Sequence, residues 1–393
     1  MGGSSPMTGR GVGPKVFLAL LFGDVYFDGR VQRLLEAVRP LGNCDVLDSE
    51  NGVLRPWSDG MTAPPRPAGG RRRLIRHPFA RHLFFWIAAL RTALGRRPRA
   101  VIGCDYFAAW PAWLAARLTG APLVYDAHEL IIPEADRPMN GRDRFWYRLE
   151  KFVVRRAALV IAANGDRARL MQEHYGLRDA PTVMRNIPPE RSGDGHGVEA
   201  GRKYPVLARR RTDERLILYQ GNLSLGRGLE RIIAALDHLP ENYRFVIAGD
   251  GMDLPRLAAA GARFAAQGRF AALGRVENRL LTAVAGFADV GIIMYPYQGL
   301  NNVYCAPNKL FEYAQAGLPV AASDQPPLSS AIAAFGIGET FGAAAPPQQV
   351  AQVLMRVAEN KGEYQARIPG FLAANRWQDE AERVRAAVGA ALG

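Results

Sequence analysis

The sequence predicts an α/β protein of two Rossmann-like domains facing one interdomain cleft, and three observations carry that prediction. Short apolar strands alternate with amphipathic helical segments along most of the 393 residues, the pattern of parallel βαβ units. The alternation occurs twice, once between Lys15 and Pro188 and again from Arg215 onward. Between the two runs, residues 189–214 mix Pro, Gly, Arg and Glu without a period, which reads as a linker. The expected organisation is therefore a first domain over 1–188, a linker over 189–214, a second domain over 215–365 and a helical extension over 366–393.

The first run opens with Lys15-Val-Phe-Leu-Ala-Leu-Leu-Phe22, apolar on both faces as a central parallel strand must be. Asp28 then stands as N-cap to a helix whose apolar positions are Val31, Leu34, Leu35 and Val38, with Arg30 in its first turn. Residues 52–70 are rich in Pro and Gly and read as a loop. Ala100–Asp105 and Pro122–Asp126 are the next strands, the second running into Asp126-Ala-His128-Glu129. Ligands of open α/β sheets bind beyond the carboxyl ends of strands, so this segment lies where chemistry is expected. A basic amphipathic helix over Trp146–Ala157 and a strand over Leu159–Ala163 follow.

Charge is unevenly spread. The net charge is +13, and residues 1–200 hold 29 Lys+Arg against 20 Asp+Glu, while the remainder hold 21 against 17. Nine arginines fall between Arg71 and Arg99 without one acidic residue, beginning with Arg71, Arg72 and Arg73. Among them, Leu83–Leu90 is apolar all round and contains Phe84, Phe85 and Trp86. Such a segment fits an interfacial helix, with arginines on anionic lipid and aromatics in the headgroup region. It also fits a buried helix with solvated basic flanks. The expectation taken forward is a peripheral protein on the inner, cytoplasmic face of an anionic membrane. No apolar run reaches the ~20 residues of a spanning helix, and no cleavage-like site follows the first apolar stretch. Nucleic acid is not an expected partner, because the arginines lie among apolar aromatics and no recognition motif accompanies them. Cys44, Cys104 and Cys305 are too scattered for a disulfide framework or a zinc site, which suits a reducing compartment.

The second run begins with Arg215–Tyr219 and a turn, Gly221-Asn222-Leu-Ser-Leu-Gly226-Arg227-Gly228, ahead of a helix with Leu229, Ile232, Ile233 and Leu236 on one face. Glycines let backbone N–H groups approach an anion, and Arg227 adds a forked cation, so a diphosphate is expected here. Gly249-Asp250-Gly251 and Gly274-Arg275-Val276 follow later strands as backbone turns. Strands over Val290–Met294 and Leu318–Ala322 then flank Cys305-Ala-Pro-Asn308-Lys309-Leu-Phe-Glu312-Tyr. Lys309 and the helix N-terminus behind Asn308 favour phosphate, while the Glu312 carboxylate can accept two hydrogen bonds from a diol. A ligand offering both groups is a sugar nucleotide. The plainer alternative is that Glu312 only caps and solubilises its helix.

Taken in order, Asp126-x-His128-Glu129, the Gly221–Gly228 turn, Gly249-Asp250-Gly251 and Pro-Asn308-Lys309-Leu-Phe-Glu312-Tyr resemble the family 4 glycosyltransferases, retaining enzymes of the GT-B fold. The resemblance covers most of the chain. It implies a UDP- or GDP-sugar donor, a glycan or lipid-linked acceptor, His128 reaching toward the donor sugar and Arg275-Val276 meeting the base through the backbone. It further implies that Asp28-Gly-Arg30 and the Asp126–Glu129 segment face the cleft, and that the last helix crosses back to the first domain. The pattern departs from many members at Asn222, where Arg is common, at Arg227, where Lys is, and at Tyr304, where a Glu is. Asn302 and Tyr304 are left to supply the sugar contacts. A front-face transfer is expected, with Arg227 and Lys309 stabilising the leaving diphosphate. No Asp-x-Asp is placed to hold a divalent ion, so neither metal nor other cofactor is expected. A sugar-nucleotide epimerase and a weakly catalytic scaffold subunit are the rival readings.

Overall fold

A computed structural model describes residues 16–50, 54–58, 78–134, 137–190 and 196–393. The chain divides into two compact units. The first takes the described residues up to Pro133, Pro138–Met184 and Ala381–Gly393; the second takes Glu134, Arg137 and Arg185–Glu380.

The first unit is built on a seven-stranded sheet. Its strands are β1 (Val16–Leu21), β2 (Asn43–Asp48), β3 (Leu54–Pro56), β4 (Ala100–Cys104), β5 (Leu123–Ala127), β6 (Leu159–Ala162) and β7 (Thr182–Val183). The spatial order is β3-β2-β1-β4-β5-β6-β7, parallel except where β3 runs against β2. β1 and β4 lie at the centre and are buried almost throughout, which is why both are apolar on two faces. The second unit has six parallel strands: β8 (Arg215–Gln220), β9 (Tyr243–Ala248), β10 (Phe270–Ala272), β11 (Val290–Ile293), β12 (Val320–Ser323) and β13 (Gly338–Phe341). Their order is β10-β9-β8-β11-β12-β13. The core on one side joins Tyr219, Phe245, Ile247 and Ile292 to Leu229, Ile232 and Leu236, the helix face read from the sequence.

Three expectations need correction. The stretch 189–214 is not a bare linker: it holds helices His196–Lys203 and Pro205–Ala208, anchored by the fully buried Ala200 and Leu207. Two anchors are too few to print a period on the sequence. Within the loop read over 52–70, Leu54–Pro56 forms an edge strand, the position where a proline is tolerated. The helix Pro78–Arg96 is sided rather than apolar all round. Phe85, Ala89 and Ala93, four residues apart, face inward, and Phe85 is 5% exposed with its ring 5.5 Å from Phe22. Phe85 therefore belongs to the core and cannot enter a headgroup region. Phe79, Leu83, Phe84 and Ile87 on the other side are exposed, and Trp86 is half-buried. Arg71, Arg72 and Arg73 lie outside the described residues.

Candidate functional site

In each sheet the strand order reverses direction once, and the carboxyl ends flanking that reversal form the expected binding crevice. In the second unit the switch lies between β8 and β11. The loop leaving β8 and the turn leaving β9 pack backbone to backbone. A Cβ at Gly249, where φ is +148°, would fall 1.8 Å from the Gly221 carbonyl oxygen, so only glycine permits this approach. Gly221, with φ +129°, is closed in turn by Lys309, whose Cε would lie 2.8 Å from an added Cβ. Hydrogen bonds from Gly221 N to Ala248 O (2.8 Å), Leu223 N to Asp250 O (2.9 Å) and Gly249 N to Gly274 O (2.8 Å) tie the turns together. Gly251 N donates to the Asp250 carboxylate at 2.8 Å. The loop ends at Gly228 in the left-handed region, and Asn222 stands exposed at its tip.

Two cations converge on this floor. Lys309, 9% exposed, donates to the Tyr219 hydroxyl at 3.2 Å with its Nζ 4.2 Å from the centre of that ring. The Arg227 guanidinium lies 4.2 Å from the Tyr295 ring centre, and Lys309 Nζ lies 5.8 Å from the same ring. Arg227 Nη1 also donates to Asn302 Oδ1 at 3.3 Å. Among the described residues no carboxylate forms an ion pair with either cation. Cation–π contacts stabilise such charges without neutralising them, so both remain available to an anion. The helix Asn308–Gln315 begins after Pro307, which offers no side-chain cap to its first N–H groups. One turn in, Glu312 accepts from the Gln220 amide at 2.7 Å. Gln220 is itself 1% exposed, with its backbone N–H held by the Tyr313 hydroxyl at 3.0 Å. Val276 is buried and Arg275 exposed in the turn after β10. Tyr304 closes the short helix Leu300–Val303 that carries Asn302.

In the first unit the switch lies between β1 and β4, and β5 is the next strand along. Asp126, on β5 and fully buried, takes two bonds from Arg30 Nε at 3.1 Å and one from Arg30 Nη2 at 2.6 Å. Arg30 also donates to the Met184 carbonyl at 2.7 Å. His128 Nε2 donates to the other side of Asp126 at 3.0 Å, while its Nδ1 lies 3.7 Å from Asp28. Burial alone would discharge His128, but Asp126, Asp28 and Asp105 overcome it and raise its pKa to about 9. Burial likewise opposes the charge of Asp126, and Arg30 and His128 outweigh it, holding that carboxyl at about 2. His128 is therefore an imidazolium at neutral pH, a fixed donor and cation rather than a base. Asp28 caps its helix through Arg30 N and Val31 N, and Glu129 is exposed beyond the cluster.

Sequence reading missed four residues that shape these sites: Tyr219, Gln220, Tyr295 and Asp105. Each lies within two residues of the carboxyl end of a strand of its sheet, which was the available signal. Among the described residues, no group of three His, Cys, Asp or Glu side chains could hold a metal, and no helix is long and apolar enough to cross a membrane.

Comparison with known proteins is consistent across both units. Residues 32–186 match the Glycosyl transferase 4-like domain, and residues 214–360 match Glycosyl transferases group 1. The chain is 25% identical over 316 residues to the glycogen synthase of Mycobacterium tuberculosis (strain CDC 1551 / Oshkosh), covering 75% of this chain and 71% of that protein. The structure of Anabaena Alr3699/HepE in complex with UDP-glucose superposes with a TM-score of 0.68 at 14% identity, covering 95% of this chain and 99% of that one. WaaG, a glycosyltransferase involved in lipopolysaccharide biosynthesis, gives a TM-score of 0.61 at 15% identity, covering 96% of this chain and 98% of that one.

Proposed function

From two glycosyltransferase models matched in turn and a GT-B fold, we propose that the chain moves a sugar from a nucleoside diphosphate donor, with retention, to a glycan or lipid-linked acceptor of envelope or exopolysaccharide synthesis. One observation carries the donor half of this reading. Arg227 and Lys309 meet over Tyr219 and Tyr295 without a carboxylate partner, one helical turn from the Glu312 carboxylate. A diphosphate satisfies the first pair and a ribose diol the second, and one nucleotide offers both.

In this reading the turns at Gly221, Asn222 and Gly228 hold the diphosphate together with Asn308 and the helix behind it. Gly249, Asp250 and Gly251 form the floor, Arg275-Val276 meets the base, and Asn302 and Tyr304 meet the sugar. The acceptor hydroxyl attacks the anomeric carbon on the face the diphosphate leaves, and the departing phosphate oxygen takes the hydroxyl proton. Charge building on that oxygen is stabilised by Arg227 and Lys309, so a metal is not required. In the same reading charged His128, set by Asp126 and Arg30, is assigned to the donor sugar, and Asp28 and Glu129 are assigned to the acceptor. The exposed Phe79, Leu83 and Phe84 beside Arg81 and Arg91 support attachment to the inner face of an anionic membrane.

The test is thermal melting of the full chain with UDP, GDP and UDP-glucose, each with and without EDTA, followed by NMR of the anomeric product. A ligand selective for the folded state raises the melting temperature, and EDTA should leave that rise unchanged. No shift with any nucleotide overturns the donor assignment, and an inverted product overturns retention.

A further inference from the structure

The carboxyl edge of the first sheet holds a residue to which the proposed function gives no ligand. Asp105 follows β4 directly, at the switch point between β1 and β4. Its φ is +67° and its ψ 165°, a combination open almost only to glycine. Among the described residues one other non-glycine residue, Arg97, has a positive φ. The backbone is pinned there by Asp105 N donating to Asp126 O at 2.9 Å and by Ala108 N donating to Asp105 O at 3.0 Å.

The carboxyl group is one of the charges facing His128, and that role does not occupy both of its oxygens. It makes no cap hydrogen bond to the helix Tyr106–Thr119 that it precedes, and its Oδ1 is buried without a hydrogen-bond partner. The ordinary N-terminal cap is absent, and of the helix N–H groups only that of Tyr106 bears on the carboxyl. A strained backbone and an unmet buried acceptor in one residue are both unfavourable for folding.

The surroundings indicate what meets that oxygen. Phe22, the first residue beyond β1, stacks on His82 at 4.0 Å; Tyr106 and Phe107, next to Asp105, lie 4.1 Å apart, and Trp146 closes on Phe107 at 4.8 Å. Of these rings only Trp146 is fully buried. His82 Nδ1 and Trp86 Nε1 are also buried without partners, so three of the ten such atoms among the described residues belong to this one shell. Aromatic faces beside unmet polar atoms suit a ring that is apolar on its faces and hydroxylated at its edge. The exposed Phe79, Leu83 and Phe84 lie on the same helix as His82 and Trp86 and extend an apolar surface outward.

Resting on the transferase reading above, we infer that the β1/β4 switch point is the acceptor subsite, that Asp105 takes a hydroxyl of the acceptor sugar there, and that the aromatic shell holds the sugar ring and the start of an alkyl or polyprenyl stem. Burial lifts the Asp105 carboxyl to about 6 against the pull of His128 and the Tyr106 N–H, which leaves it able to accept from a hydroxyl or to donate to one.

The experiment compares the wild type with Asp105→Gly and Asp105→Asn, using UDP-glucose as donor and octyl β-D-glucoside below its micelle concentration as acceptor probe. Asp105→Gly relieves the strained φ and removes the unmet oxygen, so its melting temperature should rise by about 3 °C. In the same variant the KM for octyl glucoside should rise at least tenfold, and by more than any change in the KM for UDP-glucose. Asp105→Asn should restore part of the acceptor affinity without the gain in stability. A more stable Gly variant with wild-type transfer overturns the inference alone, as does a lower melting temperature or an equal loss for donor and acceptor. Hydrolysis of UDP-glucose by a wild type that never transfers to octyl glucoside overturns the acceptor class. A wild type that neither binds nor cleaves a nucleotide sugar removes the underlying transferase reading instead.

Discussion

Two charge clusters, one in each unit, are built in opposite ways. In the first, Arg30, Asp126 and His128 satisfy one another, and Glu150, 1% exposed, takes hydrogen bonds from the Tyr125 and Tyr175 hydroxyls. In the second, Arg227 and Lys309 rest on tyrosine faces with no carboxylate beside them among the described residues. A closed network sets geometry and adds to folding. An open pair of cations adds little to folding and waits for an anion. Removing a charge should therefore affect stability at the first cluster and ligand chemistry at the second.

The largest expected effect is in the closed network. Asp126→Ala takes from buried Arg30 the carboxylate that balances its charge, and should lower folding stability by about 3–5 kcal/mol in urea titrations. A loss no larger than that of an exposed pair would show the network to be solvated. Next, Lys309→Ala and Arg227→Ala should each reduce kcat by roughly 100- to 1000-fold, because their role grows as the leaving charge grows. Melting temperatures should barely move. If stability falls as far as for Asp126→Ala, the contrast between the units is wrong. Glu312→Ala should weaken UDP binding by about 2 kcal/mol in calorimetry and leave 2′,3′-dideoxy-UDP unaffected, since only the diol is lost. Equal loss for both nucleotides returns Glu312 to a helix-capping role.

Titration offers a finer distinction. Burial, opposed by its two tyrosine donors, raises Glu150 to about 7, above its ordinary value, and His128 stands at about 9. A group whose folded pKa is raised stabilises below its unfolded pKa and loses that contribution as pH climbs through the folded one. Stability should thus decline between about pH 4.5 and 7 through Glu150, and between about pH 6.5 and 9 through His128. Glu150→Gln should flatten the first interval and His128→Gln the second in urea midpoints measured across pH. Asp126 works at the other end, its contribution present above about pH 4 and lost as pH falls toward 2. The smallest effect separates two neighbours on one helix. Phe84→Ser should leave folding intact and reduce binding to anionic liposomes severalfold, whereas Phe85→Ser should unfold the helix packing, at a cost of about 3–5 kcal/mol. Unchanged liposome binding by a folded Phe84→Ser chain would leave arginines as the anchor.

Much of this is legible in the sequence itself. Apolar strands such as Phe17–Leu20 announce themselves, and the Asn308-Lys309-x-x-Glu312 spacing places a cation and a carboxylate on one short helix. β2 escaped because Asp45 and Asp48 interrupt it, although both are buried. The Arg30–Asp126 pair escaped because its members lie 96 residues apart and meet only when β5 is laid into the sheet. Phe84 and Phe85 look alike in a run of apolar residues, and the tertiary neighbour Phe22 decides which one turns inward. Tyr295 looked like one more residue at the end of a strand. Its ring matters because a cation from the turn after β8 and another from the helix Asn308–Gln315 reach it, a convergence no local pattern records.

The helix Trp377–Ala391 begins in the second unit, while its residues from Ala381 onward cluster with the first. Val384 and Val388 are fully buried there, and Arg385 donates to the Ala37 carbonyl at 3.1 Å. On the ribosome, then, the first sheet emerges early but remains without its last segment until the entire second unit has been synthesised. During that interval the nascent chain carries an uncovered apolar face, the condition under which chaperones bind and aggregation competes. Completion of the early unit is thereby made conditional on successful translation of the late one.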